Sequence, residues 1–351
     1  MSKEEFYMHR CLEIAKNGIC NVAPNPMVGC VIVCNDVIIG EGYHAKYGEA
    51  HAEVNAINSV KNKELLKQSR LYVNLEPCAH YGKTPPCADL IIENKIPEVI
   101  IGCVDSFSEV SGKGINKLKN AGCKVDVEIL EKESRELNKR FFTFQEKKRP
   151  YIILKWAQTL DGFIDIKREA NAALKPNWIT NENLKMLVHK WRTEEQAIMV
   201  GTNTALLDNP SLNAREWFGK SPLRIVIDRD LSIPLTYNLF NQQIATIVFT
   251  EKQVKSKENI TYIAINFAEN VIEQILTHLY EIKIQSLIVE GGSYLLKSFI
   301  DKYLWDEARF FIGNKCFNNG IAAPTIKGSL FTDELINGER LLVYKSVNNN
   351  L

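Results

Sequence analysis

The stretch "EPCAHYGKTPPC", residues 76–87, sets two cysteines nine positions apart among three prolines, with a glycine and a histidine between them. Upstream stands "HAEVNAI", residues 51–57, a helix-like segment that His51 opens, with Glu53 two positions later. On a regular helix two positions are about 200° apart, so these side chains reach one point only beyond the helix tip. Pro85 and Pro86 are tolerated in a first helical turn, which makes Cys87 the start of a second helix ending near Asn94. Cys78 follows an apolar strand at 71–75. Two helix N-termini then converge, and their partial positive charge favours thiolates over thiols.

His51, Cys78 and Cys87 are three zinc ligands of suitable softness, where a structural site takes a fourth. The open position admits water, whose pKa zinc lowers to about 7, and Glu53 is the carboxylate able to move its proton. The same order, H-x-E and later P-C with a second cysteine, marks the zinc deaminases, in which the glutamate is not a ligand. Eight residues separate the two cysteines here, against two in that signature. Cys30 and Cys34, by contrast, share one face of an apolar strand and read as core.

The chain has 351 residues, which at about 150 residues per domain implies two domains. A hydrophobic fraction of 45% and a charged fraction of 24% are those of a soluble globular protein. A net charge of +1 argues against a global field for nucleic acid. No apolar run approaches the ~20 residues of a membrane span, and "MSKEEFYMHRCLEIAKNG" lacks the form of a signal peptide. A cytoplasmic address is expected. There, nine cysteines are free thiols or metal ligands.

Eight of those cysteines precede residue 124, so the halves differ in composition. The charged, proline-ended "FQEKKRPYI" at 144–152 separates them, and the boundary falls between residues 1–147 and 148–351. The first half alternates strands (28–33, 37–42, 71–75, 99–104, 125–129) with helices (50–60, 88–94, 115–121, and one continuous segment 131–144). The second places strands near Ile152, Ile198, Ile225, Ile247, Ile288 and Phe310, with helices at 184–192, 271–280 and 294–303. Both halves read as α/β.

With "PNPMVG" (24–29), "GEGYH" (40–44), "HAEVNAI" and "EPCAHYGKTPPC" in this order, the first half resembles the deaminase domain of the bifunctional riboflavin-biosynthesis deaminase/reductases. The second half is similar to that family's reductase domain through "LKWAQTLDG" (154–162), "WIT" (178–180), "VGTNTALLDNPSLNAR" (200–215), "RIVID" (224–228) and "VEGGSYLL" (289–296). The resemblance implies a cytidine-deaminase-like α/β/α domain followed by a dihydrofolate-reductase-like α/β domain. It implies zinc-dependent deamination of a phosphorylated diaminopyrimidine, then reduction of its ribosyl group with NADPH, in a homo-oligomer (dimer or tetramer) that binds neither nucleic acid nor membrane.

By the same resemblance Asn25, His44, Lys83 and Asp105 contact the deaminase substrate. Lys155, Arg192, Leu212, Arg215 and Glu290 face the reductase substrate, and two arginines suit its phosphate because a guanidinium clamps it bidentately. Ala157, Trp178, Thr204, Asp208 and Arg229 line the cofactor. Gly291, Gly292 and Ser293 join them, at a strand-to-helix junction where amide hydrogens meet a pyrophosphate. Two segments depart from the family's pattern: "DSFSEVSGKG" (105–114) replaces an Asp-Pro-Asn-Pro loop, and "FIDIKREANAALKPNWIT" (163–180) is longer than usual. Pro176 stands where the family has a substrate-contacting serine, and is left out of the site.

Overall fold

Every residue of the strand β1 (Gly29–Cys34) is buried, because its alternating side chains are covered on both faces. Residues 1–81, 85–107, 111–168 and 177–347 are described in this computed structural model, and the chain divides into two compact units after Lys148.

The first unit runs α1 (Lys3–Ala15), β1, β2 (Val37–Tyr43), α2 (Ala52–Ser59), β3 (Arg70–Val73), α3 (Cys87–Glu93), β4 (Glu98–Ile101), α4 (Lys113–Asn120), β5 (Lys124–Asp126), α5 (Glu131–Leu137) and α6 (Lys139–Lys147). Its sheet has the order β2-β1-β3-β4-β5, antiparallel at β1–β2 and β1–β3 and parallel beyond. Cys30 and Ile32 pack with Ala56, Ile91 and Leu118 from α2, α3 and α4. Val31 and Val33 pack with Met8 and Cys11 of α1 on the other face. Cys34 is buried as well. The approach of α2 to β2 is close: a Cβ on Gly42 would lie 2.3 Å from the Ala56 nitrogen.

The continuous helix expected over 131–144 is instead two, broken at Asn138, whose φ of −103° and ψ of 24° leave the helical range. The reason is tertiary. Asn138 Oδ1 accepts from Met27 N over 2.8 Å and its Nδ2 donates to Met27 O over 2.9 Å, which commits the side chain to a partner off the helix axis.

The second unit runs β6 (Tyr151–Gln158), β7 (Phe163–Asp165), α7 (Glu182–Glu194), β8 (Ala197–Gly201), α8 (Thr202–Asp208), β9 (Leu223–Ile227), β10 (Thr246–Thr250), β11 (Ile260–Ala264), α9 (Val271–Glu281), β12 (Ser286–Glu290), α10 (Ser293–Asp301), β13 (Glu307–Ile312), β14 (Ile321–Ala322), β15 (Gly328–Ile336) and β16 (Glu339–Ser346). Nine strands form one sheet, β11-β10-β9-β8-β12-β6-β13-β16-β15. It is parallel from β11 to β13, with β16 and β15 antiparallel at the edge. The helices α9 and α10 pack on one face and α7 on the other. The parallel strands are flanked by helices, so ligands are expected in the crevice outside their carboxyl ends. There stand Ala157 on β6, Gly201 before α8, and Glu290 before α10.

Candidate active sites

His51 is the N-cap of α2, with an extended backbone, and Cys87 is the first residue of α3. Cys78 sits in the segment after β3. His51 Nδ1 lies 3.6 Å from Cys78 Sγ and 3.3 Å from Cys87 Sγ, and the three donor atoms fall within 4.8 Å of one another. Cys87 N–H donates to Cys78 Sγ over 3.4 Å, so the start of α3 stabilises a thiolate. The Cys78 thiol is pulled down to about 4, first by its contact with the Cys87 thiol and then by His51, against the push of burial. The shared contact pushes Cys87 well above its ordinary value. Two sulfurs and one imidazole nitrogen converging on a point suit zinc.

Glu53, the second residue of α2, is 3% exposed and lies beside the Cys87 thiol. Burial pushes its carboxyl up to about 7, with Cys78 adding to the effect. A carboxyl titrating near neutrality can both take and return a proton.

His44 closes one side, its ring centroid 5.3 Å from that of His51. His44 Nδ1 faces the Ala50 carbonyl at 3.1 Å and Nε2 faces Asn25 Nδ2 at 3.2 Å. Burial lowers the His44 pKa, so the neutral ring donates from Nδ1 and accepts from Asn25. Asn25 is held in turn by the segment after it: Asn74 Oδ1 accepts from Gly29 N over 2.7 Å and Asn74 Nδ2 donates to Met27 O over 3.1 Å. Asp105 is buried, and burial pushes it up to about 7. Lys83 lies outside the described residues, as does Pro176.

In the second unit Lys155 and Glu290 are register partners on adjacent parallel strands, so they share a face and meet at 3.8 Å. Arg192, on α7, places Nη2 2.8 Å from Glu290 Oε2 and Nε 3.3 Å from Oε1. Burial alone would raise Glu290, but Arg192 and then Lys155 prevail and bring it down to about 2. Burial lowers Lys155. Asn213 links the arginines: its carbonyl accepts from Arg192 Nη1 over 3.0 Å and its Oδ1 from Arg215 Nη1 over 2.9 Å. Leu212 beside it is buried with a left-handed φ of 49°.

Of the residues expected at the cofactor, Thr204 Oγ1 accepts from Gly292 N over 2.9 Å, tying α8 to the turn of Gly291 and Gly292 that precedes Ser293 on α10. Ala157 lies at the end of β6. Trp178 is exposed, with Lys185 Nζ 4.8 Å from its ring centroid. Asp208 pairs with Arg168 at 3.1 Å. Arg229 follows β9, exposed, and pairs with Glu251 at 2.9 Å.

Sequence reasoning missed several residues here. His189 is buried one helical turn before Arg192, and burial, then Arg192, lower it to about 4. Glu216 gathers Lys185 at 3.0 Å and Arg215 at 3.7 Å. Glu76 is buried against the segment that carries Asp105. A signal for Glu76 was present: "SGKGIN" opens α4 with glycine at the N-cap and no acid in the first turn, which demands an acceptor from elsewhere.

The profile described as the cytidine and deoxycytidylate deaminase zinc-binding region matches residues 1–103, and that of the RibD C-terminal domain matches residues 150–336. The riboflavin biosynthesis protein RibD of Aquifex aeolicus is 42% identical over 322 residues, covering 90% of this chain and 88% of its own. That of Bacillus amyloliquefaciens is 38% identical, covering 98% and 91%. The crystal structure of the Thermotoga maritima diaminohydroxyphosphoribosylaminopyrimidine deaminase/5-amino-6-(5-phosphoribosylamino)uracil reductase superposes with a TM-score of 0.88 at 36% identity, covering 98% of this chain and 99% of that one.

Proposed function

This chain belongs to the RibD family of bifunctional riboflavin-biosynthesis deaminase/reductases, and from that premise we propose which of its residues carry the two reactions. It is a zinc-dependent deaminase and an NADPH-dependent reductase, with a cytidine-deaminase-like first domain and a dihydrofolate-reductase-like second. Its substrate is a small pyrimidine, which we identify as 2,5-diamino-6-(5-phosphoribosylamino)pyrimidin-4(3H)-one. Deamination is assigned to residues 1–147 and reduction to 148–351.

The observation that carries the deaminase assignment is the convergence of His51, Cys78 and Cys87 within 4.8 Å beside buried Glu53. These three would hold zinc. Zinc held there supplies the Lewis acidity that makes water nucleophilic near neutral pH. Glu53 takes the proton of the attacking water and gives it to the departing amine. Asn25, oriented by neutral His44, presents its amide oxygen to the ring edge, and Lys83 and Asp105 hold the remainder of the substrate.

In the reductase, bound NADPH would supply the hydride that C1 of the sugar takes up as its bond to the ring oxygen breaks and that oxygen gains a proton, and the protein's share is positioning. Arg192 and Arg215 bind the phosphate, with Lys155, Leu212 and Glu290 against the sugar. Ala157, Trp178, Thr204, Asp208, Arg229 and the turn from Gly291 to Ser293 take the cofactor. Glu290, kept ionised by Arg192 and Lys155, orients Lys155 towards the substrate.

Nine cysteines are expected as thiols or metal ligands in the cytoplasm, where we place the protein, and no helix among the described residues is long and apolar enough to cross a membrane. A homo-oligomer is favoured by the exposed Leu330, Phe331 and Leu335 on edge strand β15. Incubating the chain with the diaminopyrimidine substrate tests the whole reading. Ammonia release without NADPH, and NADPH oxidation only afterwards, are expected; NADPH consumption without prior ammonia release would overturn the order.

A further inference from the structure

Glu76 is 4% exposed and stands two residues before Cys78. Its N–H donates to the Cys103 carbonyl over 3.0 Å, which fixes its backbone to the end of β4. Its carboxylate receives four backbone N–H groups. Oε2 accepts from Asp105 over 3.3 Å and from Gly112 over 3.0 Å. Oε1 accepts from Gly114 over 2.9 Å and from Ile115 over 3.2 Å. No cation pairs with it among the described residues; its partners are backbone N–H groups.

Three of the four donors, Gly112, Gly114 and Ile115, are those that the start of a helix leaves open; the fourth, Asp105, stands at the other end of the segment. Gly112, the N-cap of α4, has a φ of 74° and offers no side-chain cap, so the cap comes from β3's exit, and a negative charge there suits the helix dipole. The contact is close enough to exclude even a methyl group: a Cβ on Gly114 would lie 2.0 Å from the Pro77 carbonyl oxygen. One side chain thus ties both ends of the segment from 105 to 115 to the strand exit that bears a metal ligand.

We propose that Glu76 is a positioning residue of the deaminase, holding Asp105 in register with Cys78 and so setting the substrate-facing wall of the pocket relative to the metal ligands. This rests on the deaminase reading above. Glu76 touches neither ligand nor substrate in this role; it acts through Asp105.

The test is Glu76→Gln in the full chain, which keeps one acceptor oxygen and turns an amide NH2 towards two of the four donors. Zinc should stay near one per chain, and reduction of pre-deaminated substrate should be unchanged. The deaminase KM should rise about tenfold or more, with kcat falling less. In an Asp105→Asn background the same change should cost under about threefold, because its route is already cut. Losses that multiply fully in the double variant would overturn the proposal, as would loss of zinc or a wild-type KM in Glu76→Gln. Failure of the wild-type chain to deaminate would overturn the deaminase reading itself and this proposal with it; a working wild type beside an equally good Glu76→Gln overturns only the positioning role.

Discussion

The Arg192 guanidinium holds the Glu290 carboxylate at two points, Nη2 2.8 Å from Oε2 and Nε 3.3 Å from Oε1. Removing one partner of a buried pair leaves the other charge uncompensated, at a cost of about 3 to 5 kcal/mol. Arg192→Ala should therefore lower the urea midpoint of the reductase unit and abolish reduction, while ammonia release continues. Arg192→Lys should restore little, since an ammonium cannot make the two-point contact. Wild-type reduction in either variant would remove Arg192 from the site.

The same cluster sets a pH dependence. Glu290 is brought down to about 2 from 4.5, so its contribution is complete above pH 4.5 and is lost as pH falls towards 2. His189 is lowered from 6.5 to about 4. Between those values the unfolded chain binds the extra proton, so stability also falls as pH drops from 6.5 to 4. Urea unfolding of the reductase unit should show weaker resistance at pH 5 than at pH 7, and His189→Gln should flatten that difference. A difference of the same size in the variant would assign the effect elsewhere.

At the zinc site Glu53→Gln preserves shape but removes the proton carrier. Deamination should fall by about 10² to 10⁴-fold, with about one zinc per chain retained. Chelation should stop ammonia release and spare reduction of pre-deaminated substrate. Loss of metal from Glu53→Gln would make Glu53 a ligand.

What was legible in the sequence was what is local. His51, Cys78 and Cys87 stand beside helix starts that prolines and apolar spacing reveal, and the strand pattern of "GCVIVC" shows its buried face without a partner. The break at Asn138 was not legible, because its cause lies 111 residues away at Met27. Glu76 was given no role from the sequence, since its donors belong to a helix start 36 residues on. Arg224 in "RIVID" alternates as an outward strand residue would, yet it is fully buried, because the acceptors that admit it come from the stretch between Asn238 and Thr246, 14 to 22 residues on.

Asn138→Ala removes two buried hydrogen bonds to Met27, which at about 1 to 3 kcal/mol for stranded groups should destabilise the first unit. The segment that carries Asn25 then loses one of its two clamps, so deamination should weaken by more than the fall in folded fraction accounts for. Circular dichroism melting alongside the ammonia assay separates the two effects. Activity that tracks the folded fraction alone would make Asn138 purely structural.

Arg224 is a buried cation whose partners are carbonyls and hydroxyl or amide oxygens. Its donors reach Thr246 Oγ1 at 2.9 Å, the carbonyls of Asn238 at 2.9 Å, Leu239 at 3.0 Å and Ile244 at 2.8 Å, and Asn241 Oδ1 at 3.2 Å. Asn238 in turn grips Asn209, donating from its N–H to Oδ1 and from Nδ2 to the carbonyl, each over 2.7 Å. Asn209 and Leu212 both adopt left-handed backbone, so the loop leading to Arg215 depends on these external holds. Arg224→Met fills the volume but strands several acceptors, each at about 1 to 3 kcal/mol, and should destabilise the reductase unit severely. Arg224→Lys supplies three donors in place of five and should fold better while still reducing substrate poorly, because the loop is no longer held in place. A lysine variant with both normal stability and normal KM would show that the cage around Arg224 serves neither loop nor site.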